Sequence, residues 1–435
     1  MNNNNSSCES GKAVKRIREG DDTTTAAPDR LSHLPDFIIH HILSFLDTRW
    51  AVQTSVLSRS WRSAWKHVPV LNLDSLWFRK YSIFQRFVDN VLSLRHPFKV
   101  HEMSFILYDH YDEEEDDEER DVSFIVKVAK YALSHGTHHL EFKLLGSRGY
   151  NDTYRFSNLF GTISNCDLKT LELVGVCIDN GFGSSRLQML TTLNLTWCTL
   201  TSDQNGVCNP FSNCPCLEKL ILNDCRHWDW QESDLKIFAP QLRSLYMDNV
   251  DWFANVEIFT PRLKSFDFNS VLKELKFSKL TISSLDLAVI RIYDEADSME
   301  GNEESVTQRL ISLFQGLSNV TTLRLEPGTI KVLFWFIFVV MKCCLCEFWL
   351  TFEIGFCSLQ ALSSINSEFL EQQSSPFTRL KTLIVDADQV PYLPITYFLE
   401  GSSVAEPTIE FVYYDTGYFP WIVSVASRVT QIAVP

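Results

Sequence analysis

LKTLELVGV, running from Leu168 to Val176, returns as LTTLNLTWC at Leu190, LEKLILNDC at Leu217, LRSLYMDNV at Leu242, LKSFDFNSV at Leu263 and ISSLDLAVI at Ile282. The starts lie 22, 27, 25, 21 and 19 residues apart. VTTLRLEPG at Val320 and LKTLIVDAD at Leu380 continue the series, and looser copies stand at Val68 (VPVLNLD), Val100 (VHEMSFI) and Thr137 (THHLEFK). Apolar residues at alternate positions mark a strand with one buried face. Their return at a period of this size marks a stack of like units, each burying its apolar face against its neighbours.

The common pattern, L-x-x-L-x-L, is the strand segment of a leucine-rich repeat. It predicts an α/β fold: a curved parallel sheet with irregular or helical crossovers, spanning about residues 71–415. Pro215, Pro240 and Pro261 each precede a first leucine by two residues, where proline halts the crossover and starts the strand. Cys198 and Cys225 each fall eight residues after a first leucine, which assigns them a structural role in turning the chain out of the strand. Cys214-Pro215-Cys216 is not C-x-x-C and has no histidine at ligand spacing, so no metal site is expected.

With the last two pattern residues inside, their neighbours form an outward ladder on the concave side. It reads Thr170 and Glu172, Thr192 and Asn194, Lys219 and Ile221, Ser244 and Tyr246, Ser265 and Asp267, then Ser284 and Asp286. This polar, mixed-charge surface suits recognition better than catalysis, and makes these residues the candidate target-binding face. Any single position could equally be a solvated sheet residue.

Ahead of the repeats stands DRLSHLPDFIIHHILSFLDTRWAVQTSVLSRSWRSAWKHVPVLNLD, from Asp29. Pro35 suits a first helical turn, and Asp36 to Leu46 carries apolar residues at helical spacing. Ile38, Ile42 and Phe45 share one face, and Ile39, Leu43 and Leu46 the adjoining one. Asp47 or Thr48 can cap a second short helix, and a third runs through Trp61 to Trp65. A unit of roughly 40 residues is too small to bury such a wide apolar surface by itself. Either the rest of the chain or a partner in a helix-groove interface must cover it.

Leu34-Pro35-Asp36, Ile42-Leu43-Ser44-Phe45-Leu46 and Ser55-Val56-Leu57-Ser58-Arg59-x-Trp61-Arg62 resemble the F-box, particularly its plant form, over residues 29–70. Trp50 departs from that pattern, which usually has a charged or small residue there. The resemblance, to plant F-box/leucine-rich-repeat proteins, implies docking to a Skp-type adaptor and through it to a cullin scaffold. Leu34, Pro35, Ile38, Ile42, Leu46, Val56, Leu57 and Trp61 are then the candidate adaptor contacts. The repeats would hold an unknown protein for ubiquitination as the substrate receptor of an SCF-type ligase, with no catalysis of its own. The alternative is a repeat scaffold without a ligase, the helices being merely a cap.

Composition narrows the choice. The chain has 435 residues and a formal charge of −15, which argues against binding nucleic acid through a global basic field. Ten acidic residues against Arg120 crowd into 109–121, read as a solvated loop or an acidic docking segment. Residues 1–28 are polar and basic, without a signal sequence; cysteines should stay reduced in the nucleus or cytoplasm. Gly181-Phe182-Gly183 lacks a third glycine, and P-loop, HExxH and GxSxG motifs are missing; no cofactor is implied.

One stretch breaks the pattern. VLFWFIFVVMKCCLCEFWLTFEIGFCSLQ, residues 332–360, can be an in-frame retained intron, a buried element or a membrane segment. T-rich codons would encode it, and excision would join Lys331 to Ala361 with ordinary repeat spacing. The missing signal and the repeat at Leu380 weigh against a membrane anchor. Residues 416–435 show no recognisable cap.

Overall fold

The computed structural model describes residues 31, 34–95, 97, 99–108, 122–146, 154–157, 167–180, 182, 187–227, 233–250, 253–270, 277–282, 285–292, 312–326, 329, 379–386 and 408–412. Segments 109–121, 332–360 and 416–435 lie outside them.

Among the described residues, twelve strands make one parallel sheet in strict sequence order. They are Val70–Asp74, Glu102–Tyr108, His139–Leu145, Thr170–Val174, Thr192–Thr196, Lys219–Asn223, Ser244–Asp248, Ser265–Ser270, Leu287–Ile292, Thr322–Leu325, Thr382–Asp386 and Thr408–Val412. Each strand pairs with those before and after it, the arrangement that stacked repeats produce. Leu171 and Leu173, Leu193 and Leu195, Leu220 and Leu222, Leu245 and Met247, and Phe266 and Phe268 all point into the core.

The register corrects one repeat. Thr170 stands level with Thr192, then Lys219, Ser244, Ser265 and Leu287. The sixth copy therefore begins at Leu285, not Ile282. Ala288 and Ile290 take the core positions, and Leu287, Val289 and Arg291 alternate with them in register with Ser265, Asp267 and Asn269; Ser284 lies outside the described residues. Ile282-x-x-Leu285-x-Leu287 satisfies the same pattern three residues early, which is why spacing alone misplaces it.

The crossovers change character along the chain. Following α1 (Asp36–Ser44), α2 (Thr48–Gln53) and α3 (Trp61–Ala64), helices α4 (Tyr81–Leu94) and α5 (Val122–Ser134) form the first crossovers and bury Phe84, Val88, Phe124 and Val128. Farther on, Val207–Cys208, Asp234–Phe238, Asn255–Phe259 and Phe277–Thr281 form a second parallel sheet. Cys177–Ile178, Thr199–Leu200 and Arg226–His227 form a third. In this region the crossovers carry short strands of their own beside irregular segments. DLKIF and NVEIF alternate polar and apolar residues, placing Leu235, Ile237, Val256 and Ile258 inside.

Four consecutive main-sheet strands end in a left-handed residue: Gly175, Trp197, Asp224 and Asn249. Each donates its backbone N–H to the next repeat, at Thr196, Asn223, Asp248 and Asn269 respectively. The following Cys198 and Cys225 thiols point at the carbonyls of Leu173 (3.5 Å) and Leu195 (3.4 Å) in the preceding repeat. The prolines act earlier than expected. Pro215, Pro240 and Pro261 each follow the residue whose carbonyl accepts from the leucine amide three positions on, at Leu217, Leu242 and Leu263. Proline's fixed φ suits the second position of such a turn.

Candidate functional site

Two surfaces carry the candidate residues, and α1 builds the first. Pro35 precedes it with extended backbone, and Asp47 caps α2 by accepting from the Arg49 amide at 2.7 Å. Ile39 and Leu43 are buried, joining Ala51, Trp61, Ala64 and Trp65 in a core continuous with Leu71 and Leu73 of the first strand. The rest of the helix turns outward. Phe37 is 70% exposed, Phe45 74% and Val56 86%, with Ile42, Leu57 and Pro35 also exposed. Leu34, Ile38 and Leu46 are half-buried at its margin.

Trp61 belongs elsewhere. It is 3% exposed, and its indole Nε1 donates to the Leu31 carbonyl at 3.1 Å. It holds the N-terminal approach to α1 and presents no surface to a partner. Sequence reasoning omitted Phe37 from the candidate contacts, though its neighbour Pro35 and the helical period place it outside.

Trp50 has a local explanation. Its ring meets Trp77 edge-on at 6.4 Å, and the Arg49 guanidinium lies 5.2 Å from the Trp50 ring and 5.4 Å from Phe78. Arg49 also donates to the Trp77 carbonyl at 2.7 Å. The unusual tryptophan thus helps fasten the helices to the first repeat. Cation–aromatic contacts of this kind contribute about 0.5–1 kcal/mol where solvent reaches them.

The second surface is the open face of the main sheet. Thr170, Glu172, Thr192, Asn194, Ile221, Ser244, Tyr246, Ser265 and Asp267 are half-buried there, while Lys219 is exposed. Parallel register places Glu172 beside Glu141 and Asn194, and Tyr246 between Ile221 and Asp267. Burial raises the Glu141 carboxyl pKa, but hydrogen bonds from Lys143 and Ser104 outweigh it and hold the group below the usual range. Glu172 has the His139 imidazole at 3.8 Å.

Farther along, the Tyr246 hydroxyl donates to Asp248 at 2.8 Å, and Asn269 Nδ2 donates to the same carboxylate at 2.8 Å. Burial and the Asp248 carboxylate push the Tyr246 phenol up to about 12. Arg291 bridges Asp267 and Glu326. Burial nevertheless raises the Asp267 pKa, with Arg291 opposing it and the Glu326 and Asp248 charges adding to it. The sequence reading missed Arg291 because the sixth repeat was read three residues early.

Among the described residues no three His, Cys, Asp or Glu converge to hold a metal ion. No helix there is long and apolar enough to cross a membrane. Thr322–Leu325 pairs directly with Thr382–Asp386 in the main sheet.

A small helical unit with an outward apolar face is fused to a parallel repeat stack. Residues 31–73 match the F-box domain family. Three F-box/LRR-repeat proteins of Arabidopsis thaliana are 26%, 28% and 30% identical over 347, 331 and 335 residues. Each alignment covers 70% of this chain, and 61%, 80% and 62% of the respective relative. The chain therefore spans less than two thirds of the length of two of these relatives. Fold and matches together make it a plant-type F-box/leucine-rich-repeat protein.

Proposed function

We propose that this protein is the substrate-recognition subunit of an SCF-type cullin ubiquitin ligase, working in the nucleus, the cytoplasm or both. Its F-box docks a Skp-type adaptor, which links it to the cullin. The open face of the repeats holds the target. The chain makes and breaks no bond itself; it raises the local concentration of target lysines near the ubiquitin-conjugating enzyme.

The exposed apolar face of α1 carries this reading. Phe37 and Phe45 lie in solvent on a helix whose opposite face is already committed to the core. These two phenylalanines, with Val56, favour a partner that removes them from water. Each fully covered side chain is worth about 1.5–3 kcal/mol of apolar transfer before binding costs.

The test is co-purification of the full-length tagged chain with a plant Skp-type adaptor. Phe45→Asp with Val56→Asp should abolish it, while the melting temperature stays near wild type because neither side chain is in the core. A wild-type chain that fails to bind any such adaptor, or a folded double variant that binds undiminished, refutes the assignment.

A further inference from the structure

We propose that the adaptor's footprint does not stop at the F-box: it continues along the outer side of α2, over Trp50, and onto Leu76 and Trp77 of the first repeat. The proposal rests on the reading of α1 as the adaptor-docking helix and gives that face a second anchor.

Helical spacing joins the two patches. α2 turns Thr48 and Ala51 inward and leaves Trp50 and Gln53 outside. The backbone stays right-handed through the tight turn Thr54–Val56 as far as Leu57. Trp50, Gln53 and Leu57, at i, i+3 and i+7, therefore lie along one side of it. Leu57 is exposed beside Val56, which already belongs to the docking face. A partner seated on Phe45, Val56 and Leu57 thus has Trp50 at its margin.

The far end of this strip is built into the repeats. Trp50 meets Trp77, which with Leu76 lies beyond residue 73, where the match to the F-box family ends. Arg49 fixes the pair, bonding the Trp77 carbonyl while its guanidinium lies against Trp50 and Phe78. That fastening uses only part of each ring. Trp50 remains 44% exposed, Trp77 48% and Leu76 50%. Anchors already held in place lose little freedom on binding, so little entropy opposes covering them. Charge indicates the partner's chemistry. Between Leu34 and Lys80 six lysines and arginines stand against three carboxylates, in a chain whose net charge is −15. Two of the three are engaged, Asp47 by the Arg49 amide and Asp74 by the Leu76 amide. A basic, apolar strip continuous with the α1 face fits an adaptor flank that carries carboxylates beside apolar side chains.

The test is hydroxyl-radical footprinting of the full-length chain, alone and in complex with a plant Skp-type adaptor, read by peptide mapping. Labelling of Trp50 and Trp77 should fall about fivefold or more in the complex, because a covered anchor is shut off from water. Trp197, also 48% exposed but beyond the strand Thr192–Thr196, should label alike in both. Leu76→Glu probes a residue outside the ring contacts. It should weaken adaptor binding about tenfold or more while the melting temperature stays near wild type. Met189→Glu makes the same change at an equally exposed residue beside the fifth strand of the main sheet. It should leave affinity within about twofold, since distant surface charges are screened.

Tryptophans labelled as strongly in the complex as in the free chain would overturn the proposal, as would undiminished binding by folded Leu76→Glu or equal weakening by Met189→Glu. Protection that appears without the adaptor and grows with protein concentration would seat a second copy of the chain on the strip, and also overturns it. Phe37 and Phe45 are scored in the same maps. If they become protected while Trp50 and Trp77 do not, only the extended footprint falls; if no complex forms at all, the ligase reading falls.

Discussion

The Asn72 backbone amide donates to Thr48 Oγ1 at 2.9 Å, so a side chain at the start of α2 caps the outer edge of the first strand. Thr48 is buried, as are Leu71 and Leu73 on either side of Asn72. The F-box therefore closes the end of the repeat stack. An edge amide left open would invite pairing with another chain.

Thr48→Val keeps the shape and removes the acceptor. It should cost about 1–3 kcal/mol, the penalty for an unsatisfied buried donor. Thermal melting gives the size of the effect, and hydrogen exchange gives its place: the Asn72 amide should lose protection before those of the inner strands. Unchanged exchange at Asn72 would show that the hydrogen bond contributes nothing to the edge.

The turn after each strand is equally specific. Gly175 has φ +71°, and a β-carbon there would sit 2.1 Å from the Leu144 carbonyl oxygen. Gly175→Ala combines left-handed strain with a backbone clash and should cost more than about 2 kcal/mol. Asn249 occupies the corresponding position with φ 48°. Asn249→Gly should change stability by less than about 1 kcal/mol, since glycine accepts that backbone freely. Chemical denaturation of the two variants separates backbone strain from general sensitivity of the turns.

The cysteines give a chemical readout of the same turns. Burial pushes the Cys225 thiol well above its ordinary pKa, with the Cys198 thiol adding to the effect. Burial alone pushes Cys214 up to about 12. Since the thiolate is the reactive form, these groups should resist alkylation in the folded protein across pH 7–9. Cys216, two residues from Cys214, is exposed. Brief iodoacetamide treatment followed by peptide mapping should find Cys216 modified and Cys198, Cys214 and Cys225 untouched until denaturant is added. Fast labelling of Cys225 would contradict its burial.

The fold was largely legible in the sequence because its signal repeats. Leu168, Leu190, Leu217, Leu242 and Leu263 all mark strands in register, and even the loose copies at Val68, Val100 and Thr137 fall at the right positions. Errors arose where one pattern admits two alignments, as at Ile282 and Leu285. Five-residue strands such as Asp234–Phe238 are too short to be singled out within irregular or helical crossovers. The site was less legible. Strand alternation identifies which residues face outward, but not that Asn269, Arg291 and Glu326 complete the surroundings of Asp267. Trp61 matched the motif and proved to be core, because a sequence motif records residues required for folding and for docking alike.

Residues 332–360 can be tested by removal. The strands on either side, Thr322–Leu325 and Thr382–Asp386, are already hydrogen-bonded neighbours. A crossover between them needs only the length found elsewhere in the stack, and Lys331 joined to Ala361 supplies a unit of ordinary size. If the apolar stretch is an insertion, deleting all 29 residues should preserve or improve solubility and melting temperature, because repeat stability is set mainly by neighbouring interfaces. A core element would give the opposite result, since removing several buried aromatic side chains costs about 3–5 kcal/mol for each one. The deletion should also leave the protein's fractionation unchanged, because both flanking strands belong to one sheet. A marked fall in melting temperature would sink the insertion reading, and release from a membrane fraction would require the segment to anchor the protein without crossing between the two strands.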